Sequence, residues 1–276
     1  MSNRELPTIL KQILEENKKK PEDFFKKIQN LREHKELVII ATGPTVNDYT
    51  EEQYSNFFQD KDVFSIKQAF FKFPQYTDLH FFNCCNLPIG ENNNYGYEYL
   101  AHKPFTIASS NYMHGGGRWS QNQKYEIFFK IPTINQNSLM NKNVDFLCKS
   151  KNLEDFLFSK TLSRPCGPGI FFETVLFFAI HLGYKKIYTI GWDYSYSKEN
   201  YNHFYSMGGG KAKNVRVPAE LPQKEIEFVL QFIDFLADWL KNNEIELNIV
   251  GNRSIVSNKF KRLLTLKKRI NKNDKK

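Results

Sequence analysis

No stretch of this 276-residue chain approaches the roughly 18 consecutive apolar residues that a membrane-spanning helix requires. The nearest candidate, 170–182, is too short and carries Glu173 and His181. The opening Met1-Ser2-Asn3-Arg4 has no apolar core behind it. We therefore expect no signal peptide and a cytoplasmic protein, at most peripheral on the inner face of a membrane. Cysteine is also scarce. Cys84, Cys85, Cys148 and Cys166 lack the spacing of a zinc knuckle, so they read as reduced, buried thiols. No two histidines are spaced for zinc, and we expect no bound metal. A G-x-G-x-x-G run is missing after the first strand, which disfavours a dinucleotide cofactor. Gly208-Gly209-Gly210-Lys211 is followed by Ala212 and so lacks the Ser/Thr of a phosphate-binding P-loop. Internal repeats are absent as well.

The charge is unevenly placed. Of the net +9, residues 259–276 supply +8, from nine basic residues against the single acid Asp274. Basicity confined to a tail argues against nucleic acid as a partner. It allows an anionic membrane surface as one. We expect residues 257–276 to form a basic C-terminal helix or tail. The rest of the chain is rich in aromatics, with 25 Phe and 14 Tyr. A disordered chain would be poorer in them, and the length suits one large domain, with or without a small subdomain.

Residues 7–34 read as two amphipathic helices. Pro21 suits a first helical position, and Phe24, Phe25, Ile28 and Leu31 share one face. Short apolar runs at 37–41, 63–66, 79–83, 105–109, 186–190 and 246–250 read as strands. Thr50 with Gln53 resembles a capping box that opens a helix through Phe58. Ile170–Leu182 reads as a helix apolar almost all round, ended by Gly183. A long helix, 220–242, carries Ile226, Val229, Leu230, Ile233, Leu236 and Leu240 at helical spacing. Strands alternate with helices, and no strand pair has a hairpin turn. The expected fold class is α/β and Rossmann-like, a mostly parallel sheet with helices on both faces. Its parts would be N-terminal helices at 1–35, the Rossmann-like domain at 36–256, and the tail. The region rich in Asn, Gln and Gly at about 111–165, together with 194–217, would cover the site as a lid.

Parallel sheets bind ligands beyond the carboxyl ends of their strands. Collecting the residues just after each strand gives Thr42, Gly43 and Thr45, then Lys67 and Gln68, Asn83 and Asn86, Gly191, Asp193, Tyr194 and Tyr196, and last Asn252 and Ser254. Gly43 permits a close backbone approach, and neighbouring N–H groups can face an anion. Gly167-Pro168-Gly169, ahead of the buried helix and near Arg164, offers a second phosphate position. The segment 191–210 gathers Asp193, Tyr194, Tyr196, Tyr201, His203 and Tyr205. Histidine titrates near neutrality and can take a hydroxyl proton. Tyrosine hydroxyls can support a departing phosphate. His181 should be packed inside and His34 exposed.

Three blocks carry a family resemblance. Val38-Ile39-Ile40-Ala41-Thr42-Gly43-Pro44-Thr45 resembles the opening of the bacterial sialyltransferases of glycosyltransferase family 42. Asp62-Val63-Phe64-Ser65-Ile66-Lys67-Gln68 resembles their second strand. Leu182-Gly183-Tyr184-Lys185-Lys186-Ile187-Tyr188, continuing through Gly191-Trp192-Asp193-Tyr194, resembles their late helix-strand unit. The Gly-Asp signature is also similar to the MptE-like (DUF115) group, which includes 6-hydroxymethylpterin pyrophosphokinases and nonulosonic acid transferases. The likeness spans roughly residues 36–255.

The first resemblance implies an inverting, metal-independent transfer of a sugar acid from a nucleotide-sugar donor, possibly CMP-linked, with no cofactor. Asn83 matches a nucleotide-holding asparagine of that family, whereas Thr42 and Lys67 replace two others. A lysine can instead meet phosphate as a point charge. Tyr201 matches a phosphate-stabilising tyrosine in spacing. The family's catalytic histidine lies further along than His203. The expected function is sugar transfer to a glycan or lipid-linked acceptor in surface-polysaccharide assembly. His203 would be the base, aided by Tyr201 and Tyr194. Thr42, Gly43, Pro44, Lys67, Asn83, Gly169 and Asp193 would lie at the nucleotide. Arg164, Tyr196, Asn252 and Ser254 would serve substrate or phosphate. The alternatives are a Mg²⁺-dependent pyrophosphokinase acting on a pterin-like substrate and a non-catalytic scaffold that docks on a membrane.

Overall fold

The computed structural model describes residues 5–18, 20–83, 104–109, 125–129, 170–193, 220–256 and 258–266. Helix α1 spans Glu5–Glu16 and α2 spans Pro21–Ile28, with Pro21 in the first turn as the sequence suggests. Then come β1 (Glu36–Ile40), α3 (Glu51–Phe58), β2 (Lys61–Ile66), α4 (Ala69–Lys72), β3 (Leu79–Asn83), β4 (Phe105–Ser109) and β5 (Ile127–Phe129). The helical segment Phe171–Val175 leads into α5 (Leu176–His181). Strand β6 (Lys186–Ile190), helix α6 (Glu220–Asn242), β7 (Glu246–Val250) and β8 (Lys261–Leu263) follow.

The eight strands form one sheet in the order β5-β4-β3-β2-β1-β6-β7-β8. Every pairing is parallel. This is the expected Rossmann-like α/β sheet. Its strands read as unbroken apolar runs because both faces are buried. Along β1, Leu37 and Ile39 join one core with α1, α2, α5 and α6. Val38 and Ile40 join the other with Tyr54, Phe57 and Phe58 of α3. The N-terminal helices thus belong to the main core: Leu6, Leu10, Phe24, Phe25 and Ile28 are buried beside strand residues.

Local chemistry accounts for several boundaries. The Thr50 side chain accepts from the Gln53 N–H and the Gln53 side chain accepts from the Thr50 N–H, so the capping box forms as read. Gly183 ends α5 with φ of +93°, the left-handed backbone that favours glycine. The apolar helix is α-helical only in its second half. Phe171–Val175 forms a π-helical turn, in which the Thr174 hydroxyl donates to the Ile170 carbonyl at 3.0 Å. His181 is packed as expected, its Nε2 2.6 Å from the Phe25 carbonyl oxygen, and His34 is exposed.

Two short strands lie where the sequence reading placed none by residue. Ile127–Phe129 falls in the Asn-, Gln- and Gly-rich region read as a lid, and it pairs with β4 at the sheet edge. Lys261–Leu263 lies where a basic C-terminal helix was expected. It is a strand at the opposite edge, parallel to β7. The reason is what surrounds the charges. Phe260 and Leu266 are buried, and the Gly251 N–H donates to the Leu263 carbonyl at 2.8 Å. The described basic residues are engaged by the fold. Lys259 pairs with Asp238 at 2.8 Å and Lys261 with Glu246 at 3.6 Å. Arg262 donates to the Ser254 and Val256 carbonyls at 2.8 and 3.0 Å. Residues 267–276 lie outside the described set. Among the described residues no helix is long and apolar enough to cross a membrane.

Candidate functional site

Because all strands are parallel, their carboxyl ends share one rim. The chain builds outward from β1 through β2 to β5, then returns to place β6 on the other side of β1. The order therefore reverses between β1 and β6. Helix α3 leaves β1 on one face and α6 follows β6 on the other, as their membership of opposite cores shows. A crevice opens at such a switch point, and ligands of open α/β sheets bind there.

The two loops at this crevice are locked together. The Ala41 N–H donates to the Ile190 carbonyl and the Gly43 N–H to the Gly191 carbonyl, both at 2.8 Å. Pro44–Asn47 then forms a 3-10 turn. Asp193 receives two hydrogen bonds from one residue: the Thr45 N–H at 2.7 Å to Oδ2 and the Thr45 hydroxyl at 2.8 Å to Oδ1. Burial pushes the Asp193 carboxyl above its ordinary range, against these two bonds and Arg253. The contact is close enough to require glycine. A Cβ on Gly43 would stand 2.5 Å from both Asp193 Oδ2 and the Gly191 carbonyl. Gly191 adopts φ of +72°, and a Cβ there would stand 2.6 Å from Val46 Cγ2.

More bonds hold the same loop from outside. Tyr54 and Lys72 donate to the Val46 carbonyl at 2.8 and 2.9 Å, and Lys72 also reaches Asn47 Oδ1 at 2.8 Å. Burial lowers the Lys72 pKa, while Glu51 opposes that shift. Asp48 takes a two-pronged ion pair from Arg253 at 2.9 and 2.7 Å. The Tyr49 hydroxyl donates to the Leu264 carbonyl at 3.4 Å.

The described site residues are therefore not equivalent. Thr42, Gly43, Pro44 and Asp193 meet at the crevice. The N–H of Gly43 and that of Thr45 point at acceptors of the chain itself, so this turn is not the open anion cradle the sequence suggested. Lys67 follows β2, with φ of +51° and its N–H donated to the Phe81 carbonyl at 2.8 Å. Non-glycine residues seldom adopt that backbone, and such positions cluster at functional sites. Asn83 ends β3, beside Ser109 of β4. Asn252 is exposed. Ser254 is buried, its Oγ 3.5 Å from the Val256 N–H and its carbonyl bonded to Arg262, which fits a turn-stabilising role better than a ligand contact. Arg164, Gly169, Tyr194, Tyr196, Tyr201 and His203 lie outside the described residues, as do the four cysteines.

Thr45 is among the strand-end residues legible in the sequence, whereas sequence reasoning passes over Asp48, Lys72 and Arg253 as site-building residues. Asp48 and Arg253 are 205 positions apart, and nothing local to either announces the other.

Fold and rim together define a Rossmann-like α/β protein whose sheet has a topological switch point between its first and sixth strands. No family model and no curated protein matches the chain. Among solved structures, it is similar to the sialyltransferase CstII from Campylobacter jejuni in complex with the substrate analogue CMP-3FNeuAc. The identity is 18%, the likeness covers 83% of this chain and 86% of that one, and the TM-score is 0.39. A likeness of that degree assigns no activity to this chain.

Proposed function

We propose that this protein is a glycosyltransferase. It would transfer a sugar, in our reading a sialic-acid-like sugar acid, from a nucleotide-activated donor to a hydroxyl of a glycan or lipid-linked acceptor. One observation supports the reading most. The third of the blocks that resemble family 42 lies far along the chain from the first two, yet all three occupy adjacent central strands, β2, β1 and β6. Two of them end at the switch-point crevice, where Gly43 and Gly191 bring the backbones into contact.

In this mechanism an acceptor hydroxyl attacks the anomeric carbon while the bond to the nucleotide phosphate breaks. His203 takes the hydroxyl proton. Tyr201 and Tyr194 hydrogen-bond the departing phosphate, which would otherwise leave with unbalanced charge. Thr42, Gly43, Lys67, Asn83 and Gly169 surround the nucleotide, with Arg164 and Tyr196 toward the phosphate. The pyrophosphokinase alternative requires carboxylates for Mg²⁺. Among the described residues no group of three or more His, Cys, Asp or Glu side chains is gathered for a metal.

A thermal-shift screen of CMP, CDP, UDP, GDP and ATP, with and without Mg²⁺, tests the proposal. A ligand at about 100 times its Kd stabilises the folded state by about 2.7 kcal/mol. In a chain of this size that raises Tm by roughly 5–10 °C. We expect a shift with CMP that does not need Mg²⁺. A shift with ATP alone, and only with Mg²⁺, would sink the glycosyltransferase reading. A His203→Ala variant that kept full transfer activity would remove His203 as the base.

A further inference from the structure

The Asp193 carboxylate sits where the β1 and β6 loops meet, and its geometry is that of a brace. Both of its oxygens accept from Thr45. What it braces has a direction. Val46 stands over Gly191, after β6. The Thr45 methyl stands over Gly251, after β7, so closely that a Cβ on Gly251 would come to 2.6 Å from it. Asp48 is tied to Arg253 and Tyr49 to the Leu264 carbonyl, both beyond the ends of β7 and β8. Segment 43–49 is therefore folded across the carboxyl ends of β6 and β7. Charge acts in the same sense. A carboxylate against the Gly43–Thr45 turn repels a second anion there, so a phosphate meets a better field elsewhere on the rim.

We propose that Asp193 is a positioning residue that latches segment 43–49 over β6 and β7 and so directs a nucleotide to the β1–β2–β3 side of the crevice, where Lys67 and Asn83 end their strands. This inference rests on the glycosyltransferase reading for the identity of the ligand. The latch itself does not. Asp193 acts through Thr45 and makes no contact with the nucleotide.

Two substitutions separate shape from charge. In Asp193→Asn the amide oxygen can face the Thr45 N–H and the amide nitrogen can donate to the Thr45 hydroxyl, which turns to accept. The brace survives without its charge. Asp193→Ala removes the brace. Arg32→Met, at the far end of the strands, serves as a control that weakens the fold without touching the rim. The measurements are hydrogen exchange of residues 42–49 and thermal shift with CMP, CDP, UDP, GDP and ATP. We expect Asp193→Ala to speed exchange at Thr45 by about tenfold and to weaken nucleotide binding by about tenfold or more. Asp193→Asn and Arg32→Met should retain the nucleotide response.

Unchanged exchange in Asp193→Ala overturns the latch whatever the nucleotides do. Loss of response in Asp193→Asn as complete as in Asp193→Ala overturns the positioning role, because the charge would then act on the ligand directly. Full response in Asp193→Ala overturns the directing role. A wild-type protein that responds to none of the five nucleotides overturns the glycosyltransferase reading and the directing role together, while exchange still decides the latch.

Discussion

Arg32 grips Asp62 with two hydrogen bonds of 2.8 Å each, inside the protein and at the amino ends of the strands, opposite the candidate site. Tyr184 donates to the same carboxylate at 2.5 Å, and Glu5 of α1 lies 3.2 Å from the outer guanidinium nitrogen. Burial alone would weaken the Arg32 charge, but Asp62 outweighs it and raises the pKa. The pair joins the N-terminal helices to β2. Removing one partner would strand the other charge in the interior. Arg32→Met should therefore cost about 3–5 kcal/mol, read from urea unfolding. Arg32→Met combined with Asp62→Leu should cost less than the single change.

His80 gives the fold a pH dependence. It is fully buried on β3, with Nδ1 3.1 Å from the Ser65 hydroxyl. Burial pushes its imidazole down to about 3, against the hydrogen bond with Ser65. The unfolded chain takes up this proton near pH 6.5, whereas the folded protein resists it until about pH 3. Stability from this group is thus complete above pH 6.5 and falls as pH drops, by up to about 1.4 kcal/mol per unit. Urea midpoints at pH 7 and pH 5 should move apart less in His80→Gln than in wild type. Equal movement in the two proteins would show that His80 is not the titrating group.

Gly43 and Gly191 should respond differently to alanine. Gly43 has an ordinary φ of −72°, so Gly43→Ala suffers only the collision with Asp193 and the Gly191 carbonyl. Overpacking of that kind typically costs about 1–3 kcal/mol. Gly191→Ala adds the left-handed backbone, roughly 1–2 kcal/mol more. Calorimetry on both variants should show the larger loss at Gly191.

The C-terminal truncations should also differ. Ending the chain after Leu266 keeps β8 and its two buried anchors, Phe260 and Leu266. Ending it after Asn258 removes both, at about 3 kcal/mol or more. Only the longer truncated form is a fair test of membrane binding through the remaining basic residues, 267–276. If that form binds anionic vesicles as well as the full chain does, the membrane idea fails.

Much of the fold was legible because parallel strands buried on both faces leave unbroken apolar runs. The bounds of β3, β4, β6, β7 and α6 were read correctly. The runs that were missed, β5 and β8, are three residues long and lie at the edges of the sheet. β5 is apolar, with Ile127 and Phe129 buried, but three residues are too few to show a strand's periodicity, and in β8 the basic residues Lys261 and Arg262 masked the pattern. The helix through 170–182 was foreseen, but not its π-helical turn. That turn involves Thr174 bonding back to Ile170 and Phe171 stacking on Trp192, with ring centroids 4.4 Å apart.

The sequence by itself determined which residues end strands, and so which polar groups reach the rim: Thr42, Gly43, Lys67, Asn83 and Asp193. Apolar periodicity and turn chemistry act over a few residues, and that range suffices for such a reading. Only the tertiary structure decided how those groups divide. Asp193 and Thr45 are 148 positions apart, and their meeting depends on β6 returning to lie beside β1. Once it does, the carboxylate fills the turn that looked ready for an outside anion. The sequence could not show this, because a strand order is set by packing across the whole sheet.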